Sequence, residues 1–219
     1  MTNYIFKDGI KRDVTIGKLV CLARSYKKHA QEMKSEISKE PVIFLKPASS
    51  VIFNEGTIKI PKMSNNVHHE VELGIVIGKK CKNISKKDAM NYILGYLVAL
   101  DITARDIQTN MKKKGWPWTI AKSFDTFAPI SEIVLKENVT NPQNLDISLK
   151  VNGEQRQCSN TSFMIFTIED IVEYISNVMT LEPGDLILTG TPEGVSQIKR
   201  GDILEAKLGD ICSLKVNVD

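Results

Sequence analysis

The sequence lacks several features that would assign it quickly to a class of protein. Its four cysteines are widely scattered and form no C-x-x-C pair, so a secreted disulfide scaffold is not predicted. No run approaches the roughly 20 apolar residues of a membrane span. The N-terminus shows neither an apolar signal core nor an Arg-rich presequence. We therefore expect a reduced, cytoplasmic protein with no membrane partner.

Nucleotide and nucleic-acid ligands are not indicated either. The chain has no G-x-G-x-x-G and no Walker loop, which argues against a nucleotide cofactor. Its net charge of +3 is too small to imply binding of nucleic acid. The densest basic stretch, residues 112–114, lies beside Trp116 and Trp118, but no nucleic-acid-binding motif accompanies it. A solvated face is the favoured interpretation of these lysines.

The length and the strand pattern favour one β-rich domain. With 219 residues, 42% of them apolar, the chain can bury a full core, and no repeat or linker divides residues 1–219. Apolar residues alternate from Leu145 to Val151 and lead into Asn152-Gly153, a strong hairpin signal. Further strands are predicted at 20–22, 41–47, 185–189 and 211–216. The pattern predicts an α+β fold around a curved, barrel-like sheet, and not a doubly wound sheet.

Three helical segments accompany these strands. A polar segment at 25–37 follows the first strand. Residues 85–88 have the shape of a capping box, and apolar residues continue at helical spacing to residue 94. A second N-terminal signal opens at Thr167, with one apolar stripe running to Val178. We expect the last two helices to face the core.

Three acidic residues stand where a fold normally places apolar ones. Glu70 and Glu72 open a largely apolar run, and Asp101 closes another. Residues two apart on a strand point to the same side, so Glu70 and Glu72 would present two carboxylates together. Such a pair resists desolvation unless a cation compensates it. An all-carboxylate set favours a hard ion, Mg²⁺ or Mn²⁺, over zinc. The competing interpretation is a solvated edge strand.

Other residues could supply chemistry beside such an ion. His29 and Glu32 are three apart, which on a helix gives an imidazole and an orienting carboxylate, or else an ordinary solvated pair. Arg105 and Gln108 follow Asp101, and an arginine fork suits a carboxylate ligand, although Asp106 offers it a surface ion pair.

Two further candidates lie later in the chain. Lys122 is a lysine among apolar and aromatic neighbours, where a buried ammonium needs an anion or a lowered pKa. Thr191 lies in a tight Gly-Thr-Pro-Glu-Gly turn after a strand. That turn either presents N–H groups and a hydroxyl to an anionic ligand or is an ordinary turn.

Taken together, these segments resemble the fumarylacetoacetate hydrolase family. Four of its signature blocks occur in register, at residues 68–74, 100–106, 118–125 and 188–194. The resemblance runs from about residue 19 to the C-terminus. It is strongest to the small, single-domain acylpyruvase and oxaloacetate decarboxylase branch, whose Arg-x-Tyr-x-x-His and Phe-Leu-Lys-Pro blocks appear at 24–29 and 44–47. One departure is Ala23 and Ser25 around Arg24, where that branch commonly has Gly and Asn, and this bears on the substrate.

The resemblance implies a role for each matching residue. Glu70, Glu72 and Asp101 match the ligands of Mg²⁺ or Mn²⁺, and His29 with Glu32 matches a catalytic dyad on a short lid helix. Lys122 matches a catalytic lysine beside the metal. The residues that match the substrate-binding positions are Arg24, Arg105, Gln108 and Thr191. The family fold is a β-rich roll, and its members are usually homodimers.

The function implied is cleavage of the C3–C4 bond of a small 2-oxo acid, by hydrolysis of an acylpyruvate or decarboxylation of oxaloacetate, through an enolpyruvate that the metal stabilises. One alternative is an isomerase, tautomerase or hydratase acting on a related 2-oxo acid. The other is an inactive metal-binding structural protein.

Overall fold

The structure is a computed structural model that describes residues 2–32 and 38–219. The strands in these ranges are β1 Leu19–Ala23, β2 Val42–Lys46, β3 Val51–Ile52, β4 Thr57–Ile58, β5 Val67–His68, β6 Val71–Ile77, β7 Ile93–Leu100, β8 Thr103–Ala104, β9 Ala128–Pro129, β10 Val134–Leu135, β11 Asp146–Val151, β12 Glu154–Asn160, β13 Leu186–Leu188, β14 Ile203–Leu208 and β15 Cys212–Val218. The α-helices are α1 Lys27–Glu32, α2 Arg105–Lys114, α3 Thr119–Lys122 and α4 Ile168–Val178. Short 3₁₀ helices lie at Ala48–Ser50, Lys86–Tyr92, Lys136–Asn138 and Thr161–Phe163.

Two larger sheets organise the strands. The first has six strands in the order β10-β7-β6-β13-β1-β2, and the second has five in the order β12-β11-β14-β15-β4. Neighbours are antiparallel except β1 with β13 and β15 with β4. The mixed arrangement, with few helices, confirms the predicted α+β class.

The six-stranded sheet is buried on both faces, and this determines where polar residues can lie. On β6, Val71, Leu73 and Ile75 belong to the main core, which also includes apolar residues of the five-stranded sheet and of α4. Val76 on the opposite face packs in a second core with the N-terminal segment. Because β6 lies in the interior of this sheet, any acidic residue on it is removed from water unless a pocket opens there.

Two local predictions are confirmed by the hydrogen bonding. Thr167 and Asp170 form a complete capping box at the start of α4. Asn152 and Gly153 both have positive φ, at 53° and 80°, and connect β11 to β12 as a two-residue hairpin turn. Within the described ranges, no helix combines the length and the apolar character that crossing a bilayer requires.

The predicted helix at residues 85–94 is wrong in type and in extent. Residues Lys86–Tyr92 form a 3₁₀ helix, and Ile93 already pairs with Ile77 in the sheet. The Ser85 hydroxyl donates to the Asp88 carboxylate (2.6 Å) and does not cap the backbone. Ile93 and Leu94, which the helical spacing had assigned to a helix, therefore belong to β7, which pairs with β6.

Helix α2 was not predicted, and α1 is described only in part. All ten residues of α2 are polar except Ile107 and Met111, so its apolar pattern is weak. Its end does carry a recognisable signal, since Gly115 has a left-handed backbone (φ 66°) at the C-terminus. Helix α1 covers Lys27–Glu32 of the predicted segment, and residues 33–37 lie outside the described residues.

Candidate metal centre

The ends of two neighbouring strands bring the three carboxylates together. Glu72 lies on β6 opposite Ala99 of β7, Glu70 immediately precedes β6, and Asp101 immediately follows β7. The Asp101 N–H donates to the Glu70 carbonyl oxygen (2.8 Å), which closes the two strand ends against each other. One carboxylate oxygen from each residue lies within 4.8 Å of the others, and all three residues are buried. The interpretation of Glu70 and Glu72 as a solvated edge is therefore wrong.

Lys122 supplies a positive charge at this cluster. Its Nζ donates to Glu70 Oε2 (3.0 Å), Asp101 Oδ2 (2.5 Å) and Thr103 Oγ1 (2.7 Å). A lysine ammonium has three protons, so all of them are used and Lys122 acts as a fixed charge. Burial alone would raise the pKa of Glu70, but the charges of Lys122 and Arg105 hold that pKa well below its ordinary value.

A second buried lysine, Lys46 at the end of β2, was missed as a site residue. Its Nζ lies 2.8 Å from Asp101 Oδ1. It donates to the carbonyl oxygens of Ile102 (3.1 Å), Lys122 (2.5 Å) and Phe127 (2.9 Å). Its protons are thus committed to three backbone segments, and its contact with Asp101 is electrostatic. A lysine in an apolar strand between two prolines was the available signal, because a buried ammonium requires acceptors and an anion.

Glu72 differs from the other two carboxylates because no lysine or arginine bonds to it in the part of the chain described. Its Oε2 accepts the Gly190 N–H (2.6 Å), while Oε1 is buried without a hydrogen-bond partner. Burial, and then repulsion from Asp101 and Glu70, raises the pKa of Glu72 well above its ordinary value. An orphaned carboxylate oxygen facing two other carboxylates fits a hard divalent cation, whose preferred ligands are oxygens.

Helix α2 begins directly beside the cluster. Arg105 donates through Nη2 to Glu70 Oε1 and through Nη1 to Gln108 Oε1 (2.7 Å), and its Nε has no partner among the residues described. The competing interpretation, a surface ion pair with Asp106, is wrong, because the Asp106 carboxylate bonds to residues 64–65. Arg105 and Gln108 therefore form one buried unit against the metal-facing carboxylates.

His29 and Glu32 form the predicted pair, in which the imidazole is buried and the carboxylate is exposed. His29 is buried on α1, and its Nδ1 lies 3.1 Å from Glu32 Oε2. The Gly194 N–H donates to both carboxylate oxygens of Glu32, at 3.1 and 3.3 Å. Glu32 thus fixes one edge of the imidazole and ties α1 to the turn after β13.

The remaining histidines are occupied elsewhere. His69 is fully buried, with Nδ1 2.9 Å from Gln157 Oε1 and Nε2 2.8 Å from Ser196 Oγ. His68 Nε2 lies 2.9 Å from Asn66 Oδ1. Burial, and then the charge of Arg105, lowers the pKa of His68 to about 4, so this imidazole is neutral near pH 7. All three contacts are of the kind that holds loops in place.

The turn after β13 binds the protein's own groups. The Thr191 hydroxyl donates to the Val71 carbonyl oxygen (2.9 Å) and accepts from Gln157 Nε2 (2.8 Å). The N–H of Gly190 is taken by Glu72. The Gly190 N–H is thus committed to a carboxylate of the chain and the Thr191 hydroxyl proton to a backbone carbonyl, and binding of an anionic ligand by this turn stays a prediction.

A small pocket of about 40 Å³ opens onto these groups. Its lining brings together most of the predicted residues and adds several others: Leu22, Ala23, Arg24, His29, Phe44, Glu70, Glu72, Arg105, Gln108, Lys112, Trp118, Lys122 and Thr191. Ligand pockets usually measure about 300–1,000 Å³. This cavity is therefore small for a ligand pocket.

Gly190 offers a test of how closely the turn must approach the cluster. Its φ is 90°, and a Cβ there would lie 2.6 Å from Ser25 Oγ. We expect Gly190→Ala to cost about 1–3 kcal/mol for the overpacking, in addition to the backbone strain, and to weaken divalent-cation binding by moving the N–H that holds Glu72. Chemical denaturation and Mn²⁺ titration would measure both.

The matched control for this variant is Gly153→Ala. Gly153 has a similar φ of 80°, but nothing lies within 4 Å of a Cβ there. Gly153→Ala therefore introduces the backbone strain without the steric clash, and it should leave Mn²⁺ affinity unchanged. Equal effects of the two variants on stability and affinity would contradict a positioning role for Gly190.

The fold and this cluster together define a class of protein. It is an α+β protein in which the ends of two central strands hold buried carboxylates with the donor set of a hard divalent cation. The profile described as "Fumarylacetoacetate (FAA) hydrolase C-terminal" matches residues 18–219. The chain belongs to this family, which confirms the family predicted from its sequence.

Three similar proteins illustrate the branch. The chain is 47% identical over 219 residues to the oxaloacetate tautomerase FAHD1, mitochondrial, of Arabidopsis thaliana, covering 100% of this chain and 95% of that protein. It is 47% identical over 201 residues to the human protein of the same name, covering 92% and 91%. The crystal structure of fumarylpyruvate hydrolase from Pseudomonas aeruginosa in complex with Mn²⁺ and pyruvate matches with a TM-score of 0.94 at 35% identity, covering 98% and 94%. These relatives are enzymes, and their names support the predicted branch.

Proposed function

We propose that the protein is a divalent-cation-dependent enzyme that acts on small 2-oxo acids, with keto–enol tautomerisation of oxaloacetate as its reaction. The observation that carries the proposal is the buried cluster of Glu70, Glu72 and Asp101 in the same fold region as the His29–Glu32 pair, with Glu70, Glu72 and His29 lining one pocket. The relatives named as oxaloacetate tautomerases, at 47% identity, favour this reaction over the others considered.

The chemistry requires an ion, a base and an anchor for the substrate. When bound, Mg²⁺ or Mn²⁺ at the carboxylate cluster supplies a Lewis acid that favours the enolate of a 2-oxo acid. His29, held by Glu32, removes or returns the proton at C3 of the substrate. Arg105 and Gln108 bind the substrate carboxylate, since Arg105 Nε is buried without a partner among the described residues. Lys122 stays charged and holds Glu70 and Asp101 in place.

A second candidate reaction is the cleavage of the C3–C4 bond that the sequence resemblance implies. The match to a fumarylpyruvate hydrolase favours it. Both reactions share the enolate of the 2-oxo acid unit, and they differ in what happens at C4. In hydrolysis of an acylpyruvate, His29 would activate water for attack on the distal carbonyl. In decarboxylation of oxaloacetate, CO₂ leaves and no water is needed.

Identification of the products separates the candidates. We expect Mn²⁺- or Mg²⁺-loaded protein to accelerate equilibration of the enol and keto forms of oxaloacetate, followed by ultraviolet absorbance, without consuming it. His29→Asn should lower this rate by about 10²–10⁴-fold, because a general base contributes on that scale. Gln31→Ala, an exposed change on the same helix, is the control and should retain activity.

Other outcomes of this assay have defined meanings. Enzymatic formation of pyruvate from oxaloacetate or acetylpyruvate would establish cleavage as the reaction. No effect on either compound by metal-loaded wild-type protein would refute the proposal. The homodimer expected from the resemblance stays a prediction.

A further inference from the structure

Two cationic side chains at the pocket have no acceptor in the described residues. Arg24 and Lys112 both line the pocket, and neither makes a hydrogen bond or an ion pair to the described chain. Arg105 and Lys122, the other cations of the pocket, are bonded to Glu70. The pocket therefore carries positive charge that stays unpaired after the carboxylates of the protein and one substrate carboxylate have each been matched with a cation.

Helix α2 places Lys112 at a defined distance from the cluster. Arg105, Gln108 and Lys112 are spaced i, i+3 and i+7, so they share one face of the helix. Seven residues of α-helix span about 10 Å along its axis. Arg105 lies against the carboxylate cluster, and Lys112 therefore lies toward the outer end of a substrate anchored there.

The Lys112 ammonium is held at the pocket by an aromatic ring. Its Nζ lies 5.1 Å from the centroid of the Trp118 ring. This cation–π contact is weak, so Lys112 loses little free energy when it turns to bind a carboxylate ligand. Trp118 is itself packed edge-on against Phe44 (5.9 Å), which also lines the pocket. Lys112 is exposed like Lys113 and Lys114, as the interpretation of residues 112–114 as a solvated face predicts, but it also lines the pocket.

The backbone of Arg24 points to the same assignment. Arg24 has φ 61°, in the left-handed region that a non-glycine residue enters at a cost. Strained residues of this kind cluster at ligand sites. The position turns the chain between β1 and α1 and brings the guanidinium to the pocket.

We propose that Lys112, assisted by Arg24, binds a second carboxylate of the substrate, so that the site selects 2-oxo dicarboxylic acids over 2-oxo acids with an apolar tail. This rests on the proposed function, since the first carboxylate and the keto group are taken to lie at the metal cluster with Arg105. Lys112 is then a specificity residue and takes no part in the chemical step.

The ionisation of Lys112 agrees with this role. Partial burial, and then the charges of Arg105 and Arg24, lowers the pKa of Lys112 to about 8, with Glu70 opposing and Lys122 adding to the shift. The ammonium attracts a carboxylate below that pH and loses its charge above it. The preference for a dicarboxylate should therefore be full near pH 7 and fall as the pH rises past about 8.

The test compares binding of three ligands, none of which the proposed tautomerisation consumes, to Mn²⁺-loaded protein by calorimetry. Oxalate has no distal group, so its affinity measures binding at the metal cluster alone. 2-Oxoglutarate and 2-oxopentanoate differ only in a carboxylate or a methyl group at the far end. We expect wild-type protein to prefer 2-oxoglutarate. Lys112→Met should reduce that preference about 10-fold or more, the scale of a charge-assisted hydrogen bond, while leaving oxalate affinity unchanged. Lys112→Arg should retain most of it.

The control is Lys113→Met, a neighbouring exposed lysine that does not line the pocket. It should keep the wild-type preference. A Lys112→Met protein with an undiminished preference would overturn the inference, and so would a wild-type protein that binds oxalate but does not distinguish the two longer acids. Failure of wild-type protein to bind even oxalate would instead refute the proposed function, and the inference with it.

Discussion

Replacing Glu72 with glutamine is expected to remove divalent-cation binding while leaving the metal-free protein intact. Burial and two neighbouring carboxylates raise the pKa of Glu72, which shifts this carboxyl toward its neutral form in the metal-free protein. Glutamine has the shape of that neutral form, and its oxygen can still accept the Gly190 N–H. The variant should therefore retain the wild-type melting temperature without metal.

The loss in function should nevertheless be large. In the variant an amide oxygen replaces one of the three proposed carboxylate ligands, and even residues that only support a ligand contribute about 10–100-fold to metal affinity. We expect Mn²⁺ affinity to fall at least about 100-fold and turnover of oxaloacetate by about 10³-fold or more. Thermal shift with and without Mn²⁺, together with the activity assay, measures both quantities.

Glu205→Gln provides the control for this experiment. Glu205 is an exposed glutamate on β14 in the five-stranded sheet, so its replacement should change neither metal affinity nor rate. If Glu72→Gln kept the wild-type increase of melting temperature with Mn²⁺, the carboxylate cluster would not be the metal site. If the variant were unstable without metal, the argument from the neutral form of Glu72 would be wrong.

The acidic part of the site could be predicted because its signal is local. Glu70 and Glu72 interrupt an apolar strand, and Asp101 ends another, so their chemical character conflicts with their surroundings in the sequence itself. What the sequence does not contain is the pairing of β6 with β7, which brings Asp101 beside Glu70 through a backbone hydrogen bond. The resemblance to the family implied that the three acidic residues lie together, without showing which strands pair.

The residues that were missed depend on contacts between distant segments. Lys46 is 55 positions from Asp101 (101 − 46) and touches it only because β2 ends beside the cluster. Lys112 looked like part of a charged run, and its place at the pocket follows from helix α2, whose polar sequence gives a weak helical signal. Residues 93–94 show the reverse case, in which an apparent helical spacing gave way to sheet pairing.

Charge balance explains why the cluster can exist without an ion. Three buried cations, Lys46, Lys122 and Arg105, lie at the cluster and compensate the charges of Glu70 and Asp101, while the raised pKa of Glu72 disfavours a third negative charge. These cations are distributed unevenly over the carboxylates. Their ion pairs are all with Glu70 and Asp101, and none is with Glu72 among the described residues. A divalent cation would complete the set at Glu72. The two lysines nevertheless contribute differently, because Lys122 donates hydrogen bonds to two carboxylates and Lys46 donates them to backbone carbonyl oxygens.

Replacing Lys122 with methionine should destabilise the metal-free protein and should be corrected in part by metal. Removing one partner of a buried ion pair costs about 3–5 kcal/mol, which for a chain of this size lowers the melting temperature by about 6–20 °C. The destabilisation comes from uncompensated charge on Glu70 and Asp101, both held by Lys122. A divalent cation replaces that charge, so saturating Mn²⁺ should raise the melting temperature more in this variant than in wild type.

Lys46→Met is the matched comparison, because Lys46 is also fully buried and also lies against Asp101. Its removal leaves the carbonyl oxygens of Ile102 and Lys122 without this donor, each at a cost of about 1–3 kcal/mol, whereas the Phe127 oxygen still accepts the Ile102 N–H. We expect an ion at the carboxylate cluster to leave these backbone oxygens unpaired. The Lys46 variant should therefore remain less stable than wild type even with saturating Mn²⁺, and should gain less from the ion than the Lys122 variant does, because the ion can offset only the lost charge beside Asp101. Equal gains in the two variants would show that Lys122 is a structural donor like Lys46, and that the charge it carries is not what the ion replaces.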